Sequence, residues 1–330
     1  MTNAHGTNGT RRPGRILTAL LCALTAAGLY GCSGTAGSDP PPGTTAPAGR
    51  SPLTGLPAGP APVLAVKIDN VAAARPHTGL GAADLVYVEQ VEGGSTRLLA
   101  VYSSSLPERA GPVRSARESD IALLAALGRP ALAYSGAQSA LNPLLRAAPL
   151  YPVTESTAPA AFLRSPDRAA PHNLYLRPAR ALDAAPDATD ARDIGLRFGA
   201  APPDGTPATT STVRYPAARY TFTWSAADRA WRVAMDGREA RATDTGPLTP
   251  ETVVVQRVTV RPSDFHDRSG AVSPYTETVG EGTALVLRDG RAHQARWSRP
   301  STASGTSFTT PDGAPLAFAP GQVWIVLAPR

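Results

Sequence analysis

The chain has 330 residues, a formal net charge of +6, 42% hydrophobic residues and two cysteines, Cys22 and Cys32. Three of its arginines lie within residues 1–31, which contain no acids, so residues 32–330 carry a net charge of +3. Nucleic-acid-binding proteins usually carry a clustered basic stripe, and this weak excess is spread along the chain, so we expect no nucleic-acid partner. The length and the apolar content suffice for two ordinary domains.

The N-terminus has the pattern of a lipoprotein signal peptide over residues 1–31. Three arginines precede an uncharged apolar run over residues 16–29, and Gly31-Cys32 follows. The run is shorter than the roughly 20 residues that span a membrane, so it favours a cleaved signal; an uncleaved N-terminal anchor is the alternative. We predict that Cys32 carries the lipid, with palmitate among its acyl chains, and anchors the exported protein to the outer face of the bacterial cytoplasmic membrane.

Residues 32–60 begin with this cysteine and continue as Gly, Pro, Ser, Thr and Ala, with few large apolar side chains. Such a composition cannot bury enough apolar surface to fold. We therefore predict a disordered tether between the lipid and the globular body.

The first predicted domain covers residues 61–200 and is of the α/β (α+β) class with a mixed sheet. Short apolar runs indicate strands over residues 63–68, 84–89, 97–102 and 131–134. Apolar residues at helical spacing, with two acids in the first turn, indicate a helix over residues 115–127. Shorter helical pieces are predicted over residues 139–147 and 159–163.

The second predicted domain covers residues 201–330 and is mainly β. Alternating apolar and aromatic residues indicate a hairpin over residues 220–233 and further strands over 252–260, 282–288 and 322–327. Asp289-Gly290 is a typical two-residue hairpin turn. The four tryptophans of this half favour core packing over a sugar-stacking face.

Several short motifs resemble the YerB-like bacterial lipoproteins, a family with paired N-terminal and C-terminal domains of unknown function. Two of them are Gly-Pro-Val-Arg-Ser-Ala-Arg at residues 111–117 and Ala-Pro-His-Asn-Leu-Tyr at residues 170–175. The other matching segments are residues 52–56, 67–70, 74–76, 83–87, 91–94, 96–97, 280–282, 288–290, 297 and 320–324. The resemblance implies lipoprotein status and a two-domain layout for most of residues 51–330, and it implies no particular reaction.

The polar residues of these motifs lie at the ends of predicted strands or in the loops that follow, where scaffolds place ligand-binding groups. The candidate ligand-binding residues are Asp69, Arg75, Glu92, Arg97, Arg114, Ser115, Arg117, His172 and Asn173. Because converging guanidinium groups grip phosphate or carboxylate with paired donors, Arg97, Arg114 and Arg117 predict an anion site. Alternatively, the arginines form buried structural ion pairs. The candidate partners are Asp69, Asp84, Glu89 and Glu92.

The chain carries no recognised catalytic constellation, and no metal or other cofactor is predicted. Ser115, Ser135 and Ser139 lie outside any nucleophile elbow or Ser-x-x-Lys motif, and Lys67 is the only lysine. We therefore favour a non-enzymatic protein that binds an anionic small molecule, glycan or peptide of the cell envelope. One alternative is an envelope hydrolase or transferase for a phosphorylated or carboxylated substrate, with Asp69, Glu92 or His172 as the base. Another is a structural assembly partner.

Overall fold

The computed structural model describes residues 49–267 and 269–330. The predicted signal peptide, the lipidation of Cys32 and most of the tether lie outside these residues. Within them, no helix has the length and apolar character needed to cross a membrane.

The described residues form three α-helices, six short 3-10 helices and twenty-one strands. The α-helices are α1 (Glu118–Leu124), α2 (Asn142–Ala147) and α3 (Pro178–Asp183). The 3-10 helices are Ala72–Ala74, Leu80–Ala82, Glu92–Gly94, Ala125–Leu127, Ser139–Leu141 and Pro159–Ala161. The strands are β1 (Leu64–Ile68), β2 (Leu85–Gln90), β3 (Thr96–Tyr102), β4 (Ala131–Ala133), β5 (Tyr151–Val153), β6 (Phe162–Arg164), β7 (Leu174–Leu176), β8 (Thr206–Pro207), β9 (Thr210–Tyr215), β10 (Ala218–Ser225), β11 (Ala230–Met235), β12 (Arg238–Glu239), β13 (Arg241–Ala242), β14 (Gly246–Pro247), β15 (Thr252–Val258), β16 (Val260–His266), β17 (Val272–Thr276), β18 (Gly280–Arg288), β19 (Arg291–Arg299), β20 (Ser307–Thr309) and β21 (Val323–Pro329).

An eleven-stranded sheet runs through both halves of the chain, in the order β20-β19-β18-β15-β21-β2-β3-β1-β4-β5, with β8 paired to β19. The last strand, β21, lies in parallel between β2 of the first half and β15 of the second. β3 is antiparallel to both β1 and β2. β4 pairs in parallel with β1, and β5 pairs in parallel with β4. The two halves therefore share one sheet, and the boundary at residue 200 stays a prediction.

Both faces of this sheet are covered, because alternate residues of its strands point to opposite sides. On one side, Val66 and Val88 share a core with Tyr220 and Trp231 of the four-stranded sheet β12-β11-β10-β9. On the other side, residues such as Leu99 pack with α1 and α2. The predicted fold class is confirmed: a mixed sheet with helices comes first, and a mainly β region follows.

Three local features differ from the sequence-based expectations. The helix predicted over residues 115–127 begins at Glu118, because residues 114–117 are held extended by backbone hydrogen bonds to Lys67 and Gly136. The helical piece predicted over residues 159–163 is a 3-10 helix only at Pro159–Ala161, and strand β6 begins at Phe162 and pairs with β7. The globular body also starts earlier than residue 61, since Leu53 is fully buried within residues that composition assigned to the tether.

The predicted Asp-Gly hairpin turn is present between β18 and β19. Arg288 pairs with Arg291, which leaves Asp289 and Gly290 as the two loop residues. Both have positive φ, 49° and 68°, as expected for the type I′ turn that matches the twist of antiparallel strands.

Candidate functional site

Strand alternation brings three charged residues to the same face of the central sheet. On β1, β2 and β3, Lys67, Glu89 and Arg97 occupy the positions that alternate with the apolar residues of the other face. Glu89 and Arg97 are direct cross-strand partners. The loop after β3 then returns over this end of the sheet at residues 114–117 and leads into α1.

A cleft of about 790 Å³ opens at this end of the sheet. Arg97, Arg114 and Arg117 all line it, so the three arginines converge as the sequence predicts. Ser115 lines it as well, together with residues 135–139 and Arg164 of β6. The β16–β17 hairpin of the second half closes another part of the wall with Phe265, His266, Asp267 and Ser273.

Arg117 is held in a structural ion pair. Its Nε and Nη2 donate to the two carboxylate oxygens of Glu92 at 2.7 and 2.6 Å, and the Ser273 hydroxyl donates to the same carboxylate. Burial alone would raise the pKa of Glu92, but the hydrogen bonds from Arg117 and Ser273 outweigh it and hold that pKa below its usual value. This pair matches the structural alternative derived from the sequence.

Arg114 and His172 share one carboxylate. Asp69 Oδ2 lies 2.8 Å from His172 Nδ1 and 3.3 Å from Arg114 Nε. The contact to Arg114 has an ion-pair distance but not hydrogen-bond geometry, so its buried Nε has no hydrogen-bond acceptor among the described residues. Arg114 is therefore only partly neutralised.

Arg97 differs from its two neighbours. Its side chain is partly buried, and Nη1 donates to the backbone carbonyl of Ser115 at 3.2 Å. Among residues 49–267 and 269–330, no carboxylate lies within ion-pair distance of this guanidinium. Burial and the nearby charge of Arg117 lower the pKa of Arg97 to about 10. It is thus a cation in the cleft wall that lacks a protein counterion within the described structure.

The remaining candidate residues have structural partners. Arg75 lies outside the cleft, where it binds the Asn70 side chain and pairs with Asp236 of the second half at 2.8 Å. Asn173 accepts a hydrogen bond from Arg164 at 3.0 Å. Arg164 also pairs with Glu155 at 2.9 Å.

Two acids that the sequence offered as arginine partners have other roles. Asp84 accepts hydrogen bonds from the backbone N–H groups of Ser103 and Ser104. Burial raises the pKa of Asp84 above its usual value despite these bonds. Glu89 pairs with Lys67, and no arginine of the described residues pairs with it.

Lys67 is the centre of a buried cluster that sequence reasoning missed. Its Nζ contacts Glu89 and lies 2.6 Å from Asp120 Oδ1. The three side chains are 0%, 1% and 0% exposed. Burial and the neighbouring Asp120 raise the pKa of Glu89 to about 8 against the opposing effect of Lys67. A single lysine within an apolar strand was the one available sequence signal, because such a residue is almost never buried unless it is paired.

The described residues do not form an evident metal-binding site. Among the residues that the structure describes, no three His, Cys, Asp or Glu side chains are grouped so as to hold a metal ion.

Comparison with known proteins identifies the family. Residues 53–192 match the family described as "Protein of unknown function (DUF3048) N-terminal domain", and residues 211–325 match the corresponding C-terminal domain. A Bacillus subtilis protein named "Putative lipoprotein YerB" is 27% identical over 280 residues, with 81% of each chain covered. The crystal structure of YerB protein from Bacillus subtilis resembles this fold with a TM-score of 0.74 at 22% identity, covering 85% of this chain and 97% of that one. The chain therefore belongs to the DUF3048 family and carries its N-terminal and C-terminal domains in that order.

Proposed function

We propose that this chain is an exported lipoprotein, anchored through Cys32 to the outer face of the bacterial cytoplasmic membrane. Two observations support this proposal: the signal-peptide pattern that ends at Gly31-Cys32, and the lipoprotein name of the Bacillus subtilis relative. Two acyl chains on one cysteine give stable anchoring, whereas one chain gives only reversible binding.

Metabolic labelling with radioactive palmitate tests the anchor. Cys32→Ser should abolish both the label and the recovery of the protein in the membrane fraction. Cys22→Ser is the matched control, because Cys22 lies within the apolar run and would leave with the signal. Retention of label in Cys32→Ser would refute the proposed attachment site.

We further propose that the cleft binds an anionic ligand of the cell envelope. The observation that carries this proposal is Arg97, a partly buried guanidinium in the cleft wall without a carboxylate partner among the described residues. Placing a cation in a poorly solvated site without a counterion is unfavourable, so a bound anion would remove that cost. Arg114, whose Nε is unpartnered among the described residues, supplies a second incompletely neutralised guanidinium in the same cleft.

The size and lining of the cleft support a ligand larger than a simple ion. Small-molecule sites commonly enclose about 300–1,000 Å³, and this cleft has about 790 Å³. Apolar side chains such as Leu141 and Phe265 line it beside hydroxyl and amide groups such as Ser139 and Gln138. This mixture suits an anionic small molecule, a glycan or a peptide segment whose charged group reaches Arg97.

Thermal unfolding of the full chain in mild detergent, followed by tryptophan fluorescence, tests the anion site with inorganic pyrophosphate as the probe. A ligand that binds only the native state stabilises it by about 2.7 kcal/mol at a concentration of 100 Kd. Pyrophosphate should raise the Tm of the wild type, and Arg97→Gln should remove most of that rise. The control is Arg232→Gln, because Arg232 forms an exposed ion pair with Asp228 on the distant β10–β11 hairpin. A rise that persists in Arg97→Gln would refute the proposed site.

A second candidate function is catalysis, favoured by the contact between Asp69 and His172. A carboxylate that accepts a hydrogen bond from Nδ1–H holds the imidazole in the tautomer whose Nε2 can act as a general base. His172 Nε2 has no hydrogen-bond partner within the described structure. The arginines would then serve as electrostatic clamps on a phosphorylated or carboxylated substrate.

Hydrolysis of a chromogenic phosphate ester distinguishes this function from binding alone. If the protein is such a hydrolase, His172→Gln should abolish turnover, whereas the control His266→Gln, at a histidine that lines the cleft, should retain it. Equal turnover in the wild type and in His172→Gln would exclude His172 as the base.

A further inference from the structure

The Lys67, Glu89 and Asp120 cluster contains one cation and two carboxylates in a place that water does not reach. All three side chains are essentially unexposed, and Lys67 Nζ contacts both acids. Two ionised carboxylates beside one ammonium leave an uncompensated negative charge, which is strongly disfavoured in a buried site. A single bound proton would remove this excess.

The hydrogen bonds indicate which acid holds that proton. Asp120 accepts from Lys67 through Oδ1 and from the backbone N–H of Arg117 through Oδ2 at 2.7 Å, so two donors favour its ionised form. Within the described structure, Lys67 is the only hydrogen-bond donor to Glu89. Because hydrogen bonds to the charged form favour ionisation, Glu89 is the more easily protonated of the two.

The other elements packed around Glu89 bring few titratable groups. β3 contributes Arg97, its cross-strand partner. β9 contributes Tyr215, whose already high pKa is raised first by burial, then by Tyr220 and then by the charge of Glu89. β17 contributes Tyr275, whose pKa is raised first by burial and then by the charge of Glu118, and whose ring lies under Arg261. Among the groups on these elements, Glu89 is the one whose pKa, about 8, lies near neutral pH.

The cluster and the cleft form one charge system. The cations are Lys67, Arg97, Arg114 and Arg117, and the carboxylates are Asp69, Glu89, Glu92 and Asp120. Arg164, Glu118, Glu155 and Asp267 also line the cleft. A proton on Glu89 removes one negative charge beside the cleft, and a bound anion supplies one.

We propose that the cleft binds its anion together with one proton, which the Glu89 carboxylate takes up. This inference rests on the anion site proposed above. Protonation of Glu89 and binding of the anion favour each other, because the charge that one adds is opposite to the charge that the other adds. This coupling is reciprocal. Anion affinity should consequently fall as the pH rises and Glu89 becomes ionised.

The expected size of the coupling follows from Coulomb's law. A charge about 10 Å away at an effective dielectric constant of about 20 shifts a protonation midpoint by roughly one pH unit. By linkage, the anion should bind roughly tenfold more weakly to the protein with ionised Glu89 than to the protein with protonated Glu89. The pKa of about 8 for Glu89 places the change between pH 7 and pH 9.

The single lysine of the chain provides a direct readout of the proton. Labelling the full chain with ¹⁵N- and ¹³C-lysine gives NMR side-chain signals from Lys67 alone, so no assignment is needed. The Lys67 signal should move in one step near pH 8, and saturating sulfate should shift this step to higher pH. Sulfate is the chosen probe because its charge stays constant over this range. The step should be absent in Glu89→Gln and present in the control Glu239→Gln, which removes an exposed carboxylate paired with Arg241.

Binding measurements separate the failure of this inference from the failure of the anion site. Sulfate affinity of the wild type should fall from pH 7 to pH 9, and in Glu89→Gln it should stay constant. The proton coupling is refuted if sulfate binds through Arg97 without changing the pH midpoint of the Lys67 signal. It is also refuted if the sulfate affinity of Glu89→Gln still falls with rising pH. In both cases the anion site stands. If sulfate raises the Tm of Arg97→Gln as much as that of the wild type, the proposed site itself is refuted.

Discussion

Replacing Lys67 with methionine should destabilise the protein strongly, because it removes the only cation from a cluster of two buried carboxylates. Methionine has a similar length and leaves no polar group in its place, so the main loss is electrostatic. Removing one partner of a buried ion pair typically costs about 3–5 kcal/mol, since the other partner is left buried and charged. Native domains are stable by about 5–15 kcal/mol, so the change is a large share of the total.

Urea unfolding of the full chain, followed by tryptophan fluorescence, measures this loss. Trp231 of the four-stranded sheet and Trp324 of the eleven-stranded sheet are fully buried, so their fluorescence should report the unfolding of both sheets. The loss should be largest at pH 8 and smaller at pH 5.5, because the two acids can take up protons when the pH is low. Arg232→Met is the control: it breaks an exposed ion pair and should leave the free energy of unfolding nearly unchanged. A loss below about 1 kcal/mol for Lys67→Met at pH 8 would refute the view that these carboxylates depend on Lys67.

Three further predictions concern stability. Leu53→Ala should lower the free energy of unfolding by about 2–5 kcal/mol in urea, because Leu53 is fully buried; no change would mean that this segment is not part of the folded body. Tyr220→Phe removes a buried hydroxyl that accepts a hydrogen bond from the Asn70 amide, and thermal unfolding should show a cost of about 1–3 kcal/mol. Gly290→Ala should cost at least about 1–2 kcal/mol in the same assay, since Gly290 has a φ of 68° and an added Cβ would lie 2.8 Å from the Trp224 indole. If Tyr220→Phe had the Tm of the wild type, the hydrogen bond to Asn70 would be contradicted. If Gly290→Ala had that Tm, the close approach to Trp224 would be contradicted.

The pH dependence of stability follows from Glu89. Its pKa is raised from 4.5 to about 8 in the folded state, so the native protein holds a proton that the unfolded chain releases above pH 4.5. The stabilisation linked to this proton is complete below pH 4.5 and is lost as the pH rises through 8. Urea unfolding of the wild type should therefore show falling stability over this window. In Glu89→Gln, the free energy of unfolding should change much less over this pH range. An unchanged slope would mean that another group causes the pH dependence.

Part of the candidate site was predictable from local sequence. The polar residues of the motifs lie at the ends of predicted strands or in the loops that follow, and the structure places Arg97, Arg114 and Arg117 along one cleft. Sequence also offered both partners of the observed pair between Arg117 and Glu92. It could not assign each acid to its cation, because Glu92 and Arg117 are 25 residues apart and their contact depends on how β2 and α1 pack.

The sequence by itself determined most of the local elements and the order of the fold classes, because strand alternation, aromatic content and the Asp-Gly turn act over a few residues. Composition misplaced the start of the body, since only tertiary packing buries Leu53. Tertiary structure alone decided that β21 joins both halves in one sheet and that Lys67, Glu89 and Asp120 form a buried cluster. These contacts join residues that are distant in the chain, and no local pattern encodes which strands become neighbours. The proposed proton site therefore arises from packing, whereas the arginines of the cleft are already visible in the sequence.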